Sequence, residues 1–178
     1  LTVCAVELDD NVAEQRMIGF LNRYPGSVHA ADIRFRLALH YCETEQWESA
    51  KREFEAVSYK ALNRADRERY DVRMGYIEFL AGEYDKAVSY FDRVPAGGTA
   101  SDHAIYYKAY IAYQRGDIDA AYDGFSKLKS SEIYTSLIPF YLVQLEFDRG
   151  NYKYVTDNCD ALLEKSSGKE RTAVLRLA

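Results

Sequence analysis

Apolar residues recur along this chain at helical spacing, and the spacing itself repeats. Tyr84, Ala87, Val88, Phe91 and Val94 fall on one face of a helix, and the same stripe returns in Ile118, Ala121, Tyr122, Phe125 and Leu128. Laid in register at steps of 37, 34 and 34 residues, the chain shows four apolar columns. They are Trp47, Tyr84, Ile118 and Tyr152; Ala50, Ala87, Ala121 and Val155; Phe54, Phe91, Phe125 and Cys159; and Val57, Val94, Leu128 and Leu162. Just ahead of the first runs a turn column, Glu45, Gly82, Gly116 and Gly150, where glycine supplies the positive φ that ends a helix. Each unit is therefore predicted as two helices around a turn. A lone helix pair cannot bury both of its faces, so neighbouring units must stack, and the pattern predicts an all-α repeat array.

A 34-residue period with Gly-x-Tyr-x-x-Ala-x-x-x-Phe, read from Gly82 to Phe91, resembles the tetratricopeptide repeat (TPR). The stretch from Gly116 to Phe125 keeps the motif with Ile118 in the aromatic place. The stretch from Gly150 to Cys159 keeps it with Val155 and Cys159 substituted. Ala38, Gly75 and Ala109 occupy the small position where the two helices of a unit approach; Val143 departs from it, Pro95 is the one proline near a unit's end, and the opening tryptophan is missing. The resemblance implies a right-handed superhelical α-solenoid, a single array over 1–178 with units at 28–62, 63–98, 99–132 and 133–167. Residues 1–27, in which Leu1–Leu8 form the tail of a helix, would end a preceding unit, and 168–178, with Val174, Leu175 and Leu177, would begin a truncated further one. A narrower likeness is carried by Ala13–Ser27 with Tyr24-Pro25-Gly26-Ser27, by Gly75-Tyr76-Ile77-Glu78-Phe79, by Tyr106-Tyr107 and by Pro139-Phe140-Tyr141. It resembles the amino-terminal part of long Bacteroidetes-type TPR proteins and, more distantly, the outer-membrane assembly and Tol-Pal-associated TPR lipoproteins. That likeness implies a periplasmic or cell-envelope scaffold with further repeats, while leaving a cytoplasmic location open.

Composition narrows the function. No apolar run among the 178 residues approaches the roughly 18–20 needed to span a membrane. The net charge of −5 and pI near 5.3 oppose the basic footprint of nucleic-acid binding. Cys4, Cys42 and Cys159 form no C-x-x-C pair, which argues against a zinc or redox site, and Cys159, in an apolar column, reads as a buried small hydrophobe. Val3 is too large to precede a lipidated Cys4. His29, His40 and His103 are scattered, and there is no H-E-x-x-H pair, P-loop, G-x-S-x-G elbow or dinucleotide fingerprint. Neither catalysis nor a cofactor is expected. Gly97-Gly98 reads as a loop with Ser101 capping the next helix, and Glu53, Glu55 and Asp92 read as solvated.

In the TPR register the groove-facing positions are Phe35 and Leu39; Val72, Tyr76 and Phe79; Tyr106, Tyr110 and Tyr113; and Phe140, Gln144 and Phe147. Eight of these eleven are aromatic, and the chain holds 16 tyrosines, which makes the stripe a candidate platform for an extended or helical segment of a partner protein. The competing reading is that the rings pack against the adjacent unit, with Tyr110 and Tyr113 reaching Tyr76 or Phe147. None of the eleven is Lys, Arg or Asn, which argues against an adaptor that clamps a terminal carboxylate. The alternative function is a glycan-binding accessory protein of nutrient uptake, since tyrosine faces also stack on sugars, or an outer-membrane assembly lipoprotein-like component. Apolar ends further allow end-to-end self-association.

Overall fold

The computed structural model describes residues 10–165, and every regular element among them is helical. The helices are α1 (Asp10–Arg23), α2 (Ala30–Glu43), α3 (Trp47–Glu55), α4 (Arg64–Leu80), α5 (Tyr84–Phe91), α6 (Gly98–Gln114), α7 (Ile118–Ser126), α8 (Ile138–Asp148) and α9 (Tyr152–Lys165), with a 3-10 turn at Tyr59–Ala61. None of them is long and apolar enough to cross a membrane. The expected helix tail at Leu1–Leu8, Cys4, and the helix expected from Gly168 lie outside the described residues. The chain divides into two compact units, 1–83 and 84–178, at the turn between α4 and α5.

In the first unit, α1 packs on α2, α2 on α3 and α3 on α4. Ala13, Met17 and Leu21, four residues apart, form the buried stripe of α1. The Tyr41 hydroxyl of α2 donates to Glu14 of α1 at 3.2 Å. Phe54 of α3 has no exposed surface and is met edge-on by Phe35 of α2 at 5.8 Å and by Tyr70 of α4 at 5.2 Å. Asn63 caps α4 by accepting from the Asp66 amide at 2.9 Å, which satisfies one of the amides a helix start leaves open.

In the second unit, α5 packs on α6, α6 on α7, α7 on α8 and α8 on α9. Ala109, Ala121, Phe125, Leu128, Ile138, Leu142 and Leu145 form one core, and Val143, Val155, Cys159 and Leu162 a second. The third repeat column therefore runs through the cores of both units: Phe54, Phe91, Phe125 and Cys159 are all buried. Burial pushes the Cys159 thiol pKa up, as expected of a packed hydrophobe. Helices α6 and α7 come close enough that a Cβ added at Gly124 would lie 2.6 Å from that of Ala109, so both small residues are needed for the approach. Helix α6 starts earlier than the sequence suggests. Gly97, at φ 99°, is its N-cap and Ser101 lies inside the helix, buried, so the serine hydroxyl does not cap it.

The turn column has one geometry throughout. Glu45 has φ 59°, and Gly82, Gly116 and Gly150 each have φ 76°. At each turn the amide after this residue reaches back to the carbonyl five residues earlier: Gln46 to Tyr41 at 2.8 Å, Glu83 to Glu78 at 2.9 Å, Asp117 to Ala112 at 3.0 Å and Asn151 to Glu146 at 2.8 Å. This is the Schellman helix end, which closes carbonyls the helix would otherwise leave open. Glu45 holds the left-handed conformation with a Cβ, against a cost of about 1–2 kcal/mol. Glu45→Gly is therefore expected to stabilise the protein by about 0.5–1 kcal/mol, after allowing for the freer unfolded glycine. Urea unfolding checks this, and a destabilised variant would contradict the strain.

Candidate interaction surfaces

The eleven stripe positions divide between the two units. In the first, Phe35 is 3% exposed and sits in the core on Phe54, so it is not on an open face. It lies on α2, and its ring turns toward α3. Leu39, Val72, Tyr76 and Phe79 are partly exposed. Tyr76 meets Trp47 edge-on at 5.3 Å and Phe79 in near-parallel stacking at 6.3 Å, giving a small aromatic patch with Leu80 exposed beside it. At the turn between α1 and α2, Phe20, Tyr24, Gly26, Ser27 and His29 line an open depression of about 470 Å³.

The second unit holds the larger cluster. Tyr106 stacks on Tyr134 at 4.4 Å and 8°, and touches Tyr107, Tyr110, Phe125 and Tyr141. Tyr141 lies flat on Phe125 at 4.5 Å and 3°. The Tyr106 and Tyr141 hydroxyls meet at 3.3 Å, and Tyr134 meets His103 Nδ1 at 2.8 Å. Burial, joined for Tyr141 by the hydrogen bond to Tyr106, pushes the pKa of Tyr134 and Tyr141 far above the ordinary phenol value. Tyr106 is thus a half-buried packing residue. Tyr110 and Tyr113 stand at the rim, each against Tyr141, at 6.1 and 6.2 Å. Phe140 packs on the α8–α9 core, Gln144 donates to Asp148 at 3.3 Å, and Phe147 is 36% exposed beside Tyr152, itself 62% exposed.

Reading the stripe alone missed Tyr134 and Tyr141. Tyr134 lies between α7 and α8, outside any helical period, and Tyr141 stands next to a stripe position rather than on it. Charged residues are also more engaged than expected. Glu53 pairs with Arg34 at 2.7 Å and Asp92 with Lys108 at 2.7 Å, because each faces a neighbouring helix. Arg115 pairs with Asp85, and Arg149 with Asp119 while its guanidinium covers the Tyr122 ring at 4.1 Å. Arg149 follows Arg115, and Asp119 follows Asp85, by 34 residues, so the ion pair follows the repeat.

Two buried carboxylates share one place in the repeat, with Ala112 between them. Glu78 accepts from Lys51 at 2.8 Å, and Glu146, two periods on, accepts from Asn151 at 2.8 Å and raises the pKa of Tyr122 through a hydrogen bond. Among the described residues no group of three His, Cys, Asp or Glu side chains could hold a metal ion. In comparisons with known proteins, no family model, no curated protein and no solved structure matches the chain.

Proposed function

We propose that this chain is a non-catalytic interaction scaffold, a right-handed TPR-type α-solenoid in which the rim of the aromatic stripe receives a peptide segment of a partner protein. The observation that carries the reading is the division of labour in the second unit. Tyr106, Tyr134 and Tyr141 pack as a floor, while Tyr110, Tyr113, Gln144 and Phe147 are left partly or largely exposed on the same two helices. Rings held by such a floor lose little entropy on binding, and tyrosine adds a hydroxyl that can orient a backbone. The uniform helix ends and the ion pair that recurs at a step of 34 residues support stacking of like units. Placement in a longer cell-envelope protein follows from the sequence resemblance.

Capture from envelope extract by the wild-type protein and by a Tyr113→Ala/Phe147→Ala variant tests this. The expected result is a partner lost from a variant whose thermal melt stays within a few degrees of wild type. A folded variant that retains every partner would remove the surface from consideration. The glycan alternative has less support here. The amides beside the exposed rings are engaged, Gln144 with Asp148 and Asn151 with Glu146, which leaves Asp148 as the polar group at the rim that could still accept from a sugar hydroxyl.

A further inference from the structure

We infer that the rim between α6 and α8 receives a basic side chain, so that the partner segment presents lysine or arginine there. The inference rests on reading this rim as a partner surface and adds the chemistry of what it takes.

The rings of Tyr110, Tyr113 and Tyr141 form a triangle with centroids 6.1, 6.2 and 6.5 Å apart and interplanar angles of 82°, 68° and 58°. All three are partly exposed. The face of an aromatic ring is its negative pole, and a cation is drawn to it within about 6 Å of the centroid; the middle of a triangle this size lies within ~4 Å of each centroid. A group seated above it is near all three centroids, and because the rings are steeply inclined to one another it meets the face of some and the edge of others.

The charge beside the triangle has the matching sign. Asp148, at the end of α8, is exposed and accepts from Gln144. Its charge contributes, after burial, to the raised pKa of Tyr113, so carboxylate and ring are in electrostatic reach. Several other carboxylates of this unit have cations of their own: Asp85 has Arg115, Asp92 has Lys108, Asp119 has Arg149 and Asp157 has Lys153. Asp148 has none among the described residues. Nor does Lys or Arg stand at any of the stripe positions Tyr106, Tyr110, Tyr113, Phe140, Gln144 or Phe147. Partly exposed tyrosine rings beside an unmatched carboxylate favour a cation over an acidic group.

The test uses two fluorescein-labelled peptides of one design, glycine and leucine interspersed with lysine in the first and with glutamine in the second. Binding is read by anisotropy at low salt. The lysine peptide is expected to bind about tenfold tighter, ring attraction and the carboxylate together supplying ~1.4 kcal/mol. Asp148→Asn should reduce that preference about threefold and Asp148→Lys should abolish it, with melts unchanged because the residue is exposed. Added salt should narrow the preference. Equal binding of the two peptides overturns the basic-ligand proposal and leaves the interaction surface standing. So does failure to bind the lysine peptide while the Tyr113→Ala/Phe147→Ala variant still loses its envelope partner. A folded variant of that kind that keeps every partner overturns both.

Discussion

Replacing Phe125 by alanine is expected to lower the unfolding free energy by about 3–5 kcal/mol, a large part of the roughly 5–15 kcal/mol that holds a domain together. Phe125 has no exposed surface, and its ring is where α7 meets both α6 and α8. One side lies flat against Tyr141 at 4.5 Å, and Tyr106 approaches at 5.8 Å. Truncation opens a cavity that neither ring can fill, since Tyr141 is tied to Tyr106 through its hydroxyl and Tyr106 to Tyr134 by stacking. Near-ultraviolet circular dichroism should therefore lose tyrosine signal along with stability. Urea unfolding provides the check. A loss below about 1 kcal/mol would mean that the tyrosine floor does not depend on Phe125 and that the second unit is held together elsewhere.

The parts of this structure that were legible in the sequence are those governed by short-range rules. The alanine and phenylalanine columns are buried because one helical period and one repeat period fix both the face and the neighbour: Ala50, Ala87 and Ala121 have no exposed surface. The turn column carried its own signal, since three of its four residues are glycine, and Glu45 follows them into positive φ because the helix end requires it. What was not legible depends on how helices rotate against one another. Phe35 occupies the same register position as Tyr106, yet it is buried against Phe54 while Tyr106 is only partly covered. Tyr134 escaped notice because it lies between helices, where no periodicity marks a packing residue, although it supplies the closest ring contact to Tyr106. The Arg115–Asp85 and Arg149–Asp119 pairs could have been found by extending the register to charged residues, whose 34-residue recurrence is as regular as that of the glycines.

The tyrosine floor should also make the second unit sensitive to alkali. Tyr134 and Tyr141 have their pKa raised well above the ordinary value of 10.0, and Tyr106 is raised as well, in each case first by burial. Neighbouring phenols and, for Tyr134, the Asp102 carboxylate push in the same direction. Below pH 10 these hydroxyls are protonated whether the chain is folded or not, and they contribute their full stability. Above pH 10 the unfolded chain releases their protons while the folded one retains them, so the folded state binds more protons and the unfolding free energy falls as pH rises. Tyrosinate absorbance and helical circular dichroism, followed together from neutral to strongly alkaline pH, are expected to show two stages. Part of the tyrosinate absorbance should appear with the helix signal intact, and the part from Tyr106, Tyr134 and Tyr141 should appear later, in one steep step that coincides with loss of helix. Tyr134→Phe should soften that step, because one coupled ionisation is removed while its ring still stacks on Tyr106. Ionisation of every tyrosine near pH 10 without unfolding would show that water reaches the floor, and the rim rings would then lack the rigid support on which the proposed partner binding depends.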